Sequence, residues 1–196
     1  MKPVIAAVLL TLACAAVGEA QQPMSASAQI AAAIAPLPEE FRETATVMGY
    51  RPGKAGLAQL RAGTGSFICL ADDPSDQRFH VACYHKSLEQ FMARGRELRA
   101  NGVTGSAVDS ARYAEIESGK LAMPRHPAAL YSLTLRPDQV DAQSGAVPAT
   151  AKPLYVVYIA YATAESSGLP KTAAPGMPWI MFPGTPKAHI MFVPAM

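Results

Sequence analysis

Four histidines, three cysteines and a run of aspartates carry most of the chemistry this chain could do. The histidines are His80, His85, His126 and His189. A neutral imidazole serves as a general base or as a metal ligand near pH 7. His80 and His85 stand an odd number of residues apart, so on one strand they point to opposite faces and do not chelate together. His126 lies between Arg125 and Pro127, where an exposed turn is expected. His189 shares a strand face with Met191, and His with Met suits Cu(I). Met177, Met181, Met191 and Met196 all fall near the C-terminus. Methionine is also an ordinary core filler, and no Met-x-x-Met or His-x-His cluster accompanies them. Copper binding is therefore an alternative, and no metal site is expected.

The cysteines say more about compartment than about reaction. Cys14 lies in an apolar N-terminal run, which leaves Cys69 and Cys83 for the rest of the chain. An even number in an exported chain predicts one structural disulfide, Cys69–Cys83. Between them lies an Asp-Asp-Pro-Ser-Asp turn, Asp72 to Asp76. Asp72, Asp73, Asp76 and His80 could form a cation loop, but the spacing is not that of an EF-hand and its glycine is missing. An Asx turn is the expected structure. There is no C-x-x-C redox pair, no G-x-S-x-G, S-x-x-K or H-E-x-x-H, and no P-loop. No cofactor is expected. Arg94, Arg96 and Arg99 could hold an anion, but a solvated basic helix face is the simpler expectation.

Residues 1–20 read as an export signal. Lys2 supplies the positive start, Val4 to Val17 an uncharged apolar run, and Gly18-Glu19-Ala20 small residues at a cleavage site. Thr11-Leu12-Ala13-Cys14 departs from the order of a lipoprotein signal, so a periplasmic or secreted protein is expected rather than one acylated at Cys14. No later segment is apolar enough to cross a membrane as a helix. Lys2 and Glu19 cancel, so the net charge of +2 survives removal of the leader. That balance carries no nucleic-acid footprint and no polybasic membrane patch.

The elements that must position these residues form an α+β pattern. Residues 21–40 are a flexible leader or a short helix, and 41–196 a single domain. Strands are expected over 44–50, 57–61, 66–70 and 79–84, joined by tight turns as an antiparallel meander. Leu88, Phe91, Met92, Gly95 and Leu98 make a helical stripe over 88–100, with Ser87 and Gln90 as a capping box. A second helix is expected over 107–117. Strands follow at 128–135 and 154–162, then two short ones at 179–182 and 189–192 around Pro183-Gly184. Seventeen prolines, clustered at 124–127, 137–153 and 170–194, make the second half loop-rich. The expectation is a largely antiparallel sheet with two helices.

Two segments carry a resemblance. One is Gly65-Ser66-Phe67-Ile68-Cys69-Leu70-Ala71-Asp72-Asp73-Pro74 with Cys83 after it. The other is Pro178-Trp179-Ile180-Met181-Phe182-Pro183-Gly184-Thr185-Pro186, followed by His189-Ile190-Met191. Together they resemble a group of uncharacterised exported bacterial proteins with a Cys-stapled Asp-Pro turn and a P-W-x-M-x-P-G-T-P-x-x-H-x-M segment. Phe67-Ile68 stands where that group has Trp-Thr. The resemblance implies export and a shared domain, and it raises His189 and Trp179 as site residues on a rigid, Pro-rich segment.

Three function classes follow. The first is a non-catalytic domain that binds a small molecule or a protein, with His189, Trp179 and His80 as candidate residues. The second is a hydrolase with His189 or His80 as base. The third is a copper-binding protein.

Overall fold

A computed structural model describes residues 22–193. The expected export leader, Cys14 and Met196 lie outside the described residues.

The chain begins with helix α1 (Ala26–Ile34), capped by Ser25, whose hydroxyl accepts the N–H of Ala28, and a short α2 (Glu39–Arg42). Strands β1 (Thr46–Gly49), β2 (Ala58–Arg61), β3 (Phe67–Leu70) and β4 (Phe79–His85) follow. Then come α3 (Glu89–Ala100) and α4 (Ser106–Glu117), β5 (Ala128–Leu135), β6 (Leu154–Tyr158), a short α5 (Ala164–Ser167), β7 (Trp179–Met181) and β8 (His189–Phe192). The strands form one eight-stranded sheet in the order β2-β1-β3-β4-β5-β6-β8-β7.

Every pair in that sheet is antiparallel except β1 with β3, which is parallel. The expected meander is therefore corrected. After β2 the chain crosses back over the start of β1 and sets β3 on the other side. Gly63 permits the crossing, since a side chain there would meet the carbonyl of Thr44 at 2.3 Å. The N–H of Gly65 then donates to that carbonyl at 2.8 Å.

Alternation along the strands decides which face each residue buries. Phe67, Cys69, Cys83 and Val47 pack under α1 with Ala33 and Leu37. Tyr84, Val156 and Tyr158 pack on the opposite face with Leu88 and Phe91 at α3. Cys69 and Cys83 face each other across β3 and β4 and form the predicted disulfide, fully buried.

Among the described residues there are five α-helices, not two. α2 and α5 are four residues each, too short to show a helical period in the sequence. α3 begins after a 3₁₀ turn at Lys86–Leu88, and the expected capping box does not form. Instead Nδ1 of His85 accepts the N–H of Ser87. β6 stops at Tyr158 rather than Ala162 because Tyr161 takes a positive φ of 64° and the N–H of Ala162 turns back to Ile159 O.

Candidate functional site

The register separates the two histidines named as candidate bases. His80 pairs with Thr134, while His189 pairs with Tyr158, which pairs with Ala128. They lie on one face but six residues apart along β5 and three strands apart across the sheet. At ordinary spacings that is about 20 Å along the strands and about 14 Å across them. They do not form one site. His85 lies on the α1 side, its ring edge-on to Phe67 at 5.9 Å, so His80 and His85 do face opposite ways. His126 is exposed in the loop before β5.

His80 sits at an open polar cleft of about 460 Å³ lined by Asp76, Gln77, Arg78 and Thr134. Its Nδ1 lies 2.9 Å from the Thr134 hydroxyl. Burial and the nearby Arg78 push its pKa below the usual imidazole value. Asp72 accepts the backbone N–H of His80 at 2.6 Å, and Asp73 closes an Asx turn by accepting from the N–H and hydroxyl of Ser75. Asp73 also accepts from Tyr50. These bonds engage the carboxylates of Asp72 and Asp73 and form the expected Asx turn. Among the described residues, no three His, Cys, Asp or Glu side chains are placed to hold a metal ion.

His189 opens β8 and is buried. Its Nδ1–H donates to the carbonyl of Lys187 at 2.7 Å, which fixes the tautomer and leaves the Nε2 lone pair for an outside partner. Burial holds the imidazole neutral by pushing its pKa down. The ring of Tyr158 packs on it with centroids 4.9 Å apart, and that of Phe182 at 5.7 Å. Burial raises the Tyr158 hydroxyl to about 12, so it stays protonated. Trp179 pairs with Met191 and Met181 with His189, which puts Trp179 on the same face, one cross-strand pair away.

Around His189 the Pro-Gly-Thr-Pro segment is tied to helix α4 and to the loop after β6. The N–H of Tyr161 donates to Thr185 O at 2.9 Å and the N–H of Gly184 to Ala162 O at 2.8 Å. The Thr185 hydroxyl donates to Phe182 O and accepts from Tyr113 on α4. Lys187 donates to Asp109 Oδ2 at 2.8 Å, with its Nζ 4.2 Å above the ring of Phe182. The other oxygen, Oδ1, takes Arg112. Burial works to raise the Asp109 pKa, but Lys187 and Arg112 together hold it below the usual carboxylate range.

Tyr161 and Phe182 are the two non-glycine residues at positive φ among the described residues. Both are exposed, at 52% and 41%. Two strained backbones are thus linked through Ala162–Gly184 and Tyr161–Thr185, and both carry exposed aromatic rings, that of Phe182 lying 5.7 Å from the buried imidazole.

The sequence pointed to His189 and Trp179 but not to Asp109, Arg112, Tyr161, Phe182 or Lys187. Asp109 and Lys187 are 78 residues apart, so their contact leaves no local pattern. The one available signal was Gly95 in the middle of a helical stripe, which marks a close neighbour, here Arg112. The Arg94 and Arg96 of the basic stripe are occupied, Arg94 by Glu115 and Glu97, Arg96 by Glu89 and the Tyr84 hydroxyl.

The chain matches no known protein family, no curated protein and no solved structure.

Proposed function

We propose that this chain is an exported, non-catalytic domain that binds a small ligand or partner at the end of the sheet where Tyr161, Phe182, Lys187 and His189 meet. The observation that carries the reading is the paired strain at Tyr161 and Phe182. An aromatic residue at positive φ costs about 1–3 kcal/mol, and such cost is retained where it serves a site. Here its result is two exposed aromatic rings on a loop fastened to the sheet, which is a common build for a binding surface. Export is supported by the leader-like N-terminus and by the buried disulfide Cys69–Cys83.

His189 suits binding better than base catalysis. Its Nδ1 is held by a backbone carbonyl rather than a carboxylate, and no hydroxyl of the described residues is hydrogen-bonded to Nε2. The hydrolase reading has one observation in its favour elsewhere, the contact of His80 with the Thr134 hydroxyl at an open cleft.

The test is a fragment screen by NMR on the mature protein, run beside a panel of chromogenic esters and phosphate esters. The proposal expects shifts confined to Tyr161, Phe182 and His189 and no turnover. Turnover lost in His189→Ala or His80→Ala sinks it and selects the hydrolase reading.

A further inference from the structure

The charges beneath that surface do not balance. Among the described residues, Asp109 is the one carboxylate bonded to both Lys187 and Arg112. Each of its oxygens is taken by a different cation, so a single negative charge answers two positive ones. Arg112 is 4% exposed and always ionised. Its Nη1 donates to Phe91 O at 3.1 Å, and its guanidinium lies 3.7 Å over the Phe91 ring. Its Nε is buried with no acceptor among the described residues. The cluster is therefore short both of negative charge and of hydrogen-bond acceptors, and buried donors are seldom left unmet. Arg112 is sealed between α3 and α4, but Lys187 keeps about a fifth of its side chain in solvent. The unbalanced charge is reached from outside through Lys187, whose Nζ lies 4.2 Å above the Phe182 ring.

Resting on the binding reading above, we infer that this surface selects small anionic ligands with a flat apolar body, such as aryl carboxylates or sulfonates. The acid group pairs with the Lys187 ammonium, and the flat body lies against Tyr161 and the outer part of Phe182. A charge-assisted contact of this kind is worth about tenfold in affinity or more over a neutral isostere. The aromatic rings supply area, and Lys187, which shares its carboxylate with Arg112, supplies the choice of sign.

The experiment compares benzenesulfonate with benzenesulfonamide, which has nearly the same shape but no charge at pH 7. Binding is followed by NMR shifts of Tyr161, Phe182 and the His189 imidazole in the folded, disulfide-bonded protein. The sulfonate is expected to bind about tenfold more tightly, and Lys187→Gln to remove that preference. Asp109→Asn, which frees both cations, is expected to tighten sulfonate binding several-fold, a gain that a merely structural Asp109 would not give. If the two probes bind equally and Lys187→Gln changes nothing, the selectivity is refuted while the binding reading stands. If neither probe moves these residues at millimolar concentration, both are refuted.

Discussion

Gly95 on α3 lies directly under the guanidinium of Arg112 on α4. A methyl group at Gly95 would sit 2.9 Å from Nη1 and 3.4 Å from Cζ. The helix would gain about 1 kcal/mol from alanine in place of glycine. The clash outweighs that gain, because Arg112 is pinned by Asp109, by Phe91 O and by the Phe91 ring, and cannot swing away. Gly95→Ala is expected to lower stability by about 1–2 kcal/mol. Placed on Arg112→Met, the same change is expected to stabilise, since the obstacle is gone. Urea denaturation of the four proteins in this cycle checks the reversal of sign. A Gly95→Ala that stabilises both backgrounds would show that Arg112 is free to move.

The disulfide gives a second expectation. Cys69 and Cys83 are directly opposed on β3 and β4, fully buried and 14 residues apart in sequence. Closing a loop of this size restricts the unfolded chain by about 3 kcal/mol in the chain-entropy picture. Cys69→Ala with Cys83→Ala is expected to lose about that much and to keep the fold, because β4 is also held by β5 through six residue pairs. Thiol titration of the native wild-type protein is expected to find neither cysteine free, and reduction in denaturant to expose both. A free thiol at Cys69 or Cys83 in the native protein would contradict the structure here.

The disulfide, β5 and the α3 stripe were legible in the sequence because each rests on a local or countable signal. Two cysteines after the leader admit a single pairing. Ala128–Leu135 is bounded by Pro127 and Pro137, and the observed strand has those same limits. The order of β1, β2 and β3 was not legible. A tight turn after β2 is equally consistent with β3 beside β2 or beyond β1, and the choice depends on how Gly63 passes the backbone of Thr44. At the candidate site His189 stood out as a histidine in a rigid Pro-rich segment. Its ring contact Tyr158 is on β6, and the residues that anchor its segment, Asp109 and Tyr113, are on α4, so nothing in sequence spacing could assign them. Tyr161 was hidden for a different reason: its surroundings read as continuous strand, and its left-handed backbone goes with the hydrogen bonds from its own N–H to Thr185 O and from the Gly184 N–H to Ala162 O.

That strain is measurable at Tyr161. The residue is 52% exposed, so its side chain contributes little packing to the folded state. Its φ of 64° suits glycine. Tyr161→Gly is expected to raise stability by up to about 1 kcal/mol, after the higher entropy of glycine in the unfolded chain is set against the relieved strain. Tyr161→Asn, which tolerates the left-handed region, is expected to fall between the two. Phe182→Gly should do less well, because the Phe182 ring also contacts Lys187 and His189. Thermal unfolding of the three variants tests this order. A clear loss of stability in Tyr161→Gly would mean that the ring is held for packing, and would remove the observation on which the binding reading rests.

Asp72 predicts a pH dependence with a definite sign. Burial is the main cause that raises its carboxyl to about 6, with Asp76 and Asp73 adding to it against the opposing hydrogen bond from the His80 N–H. In the unfolded chain the same carboxyl ionises near 3.8. The folded state therefore holds the proton more tightly than the unfolded state. The stability this contributes is complete below about pH 4 and is lost as the pH rises through 6. Asp72 is partly exposed, so solvent screening cuts the effect to about 1 kcal/mol. Asp72→Asn keeps an oxygen to accept the His80 N–H but cannot ionise. At pH 8 it is expected to be more stable than wild type by about that amount, with the difference shrinking between pH 6 and pH 4 and gone below it. Urea midpoints measured from pH 3.5 to pH 8 check this. A constant offset across that range would show that Asp72 acts through packing or its hydrogen bond and not through its charge.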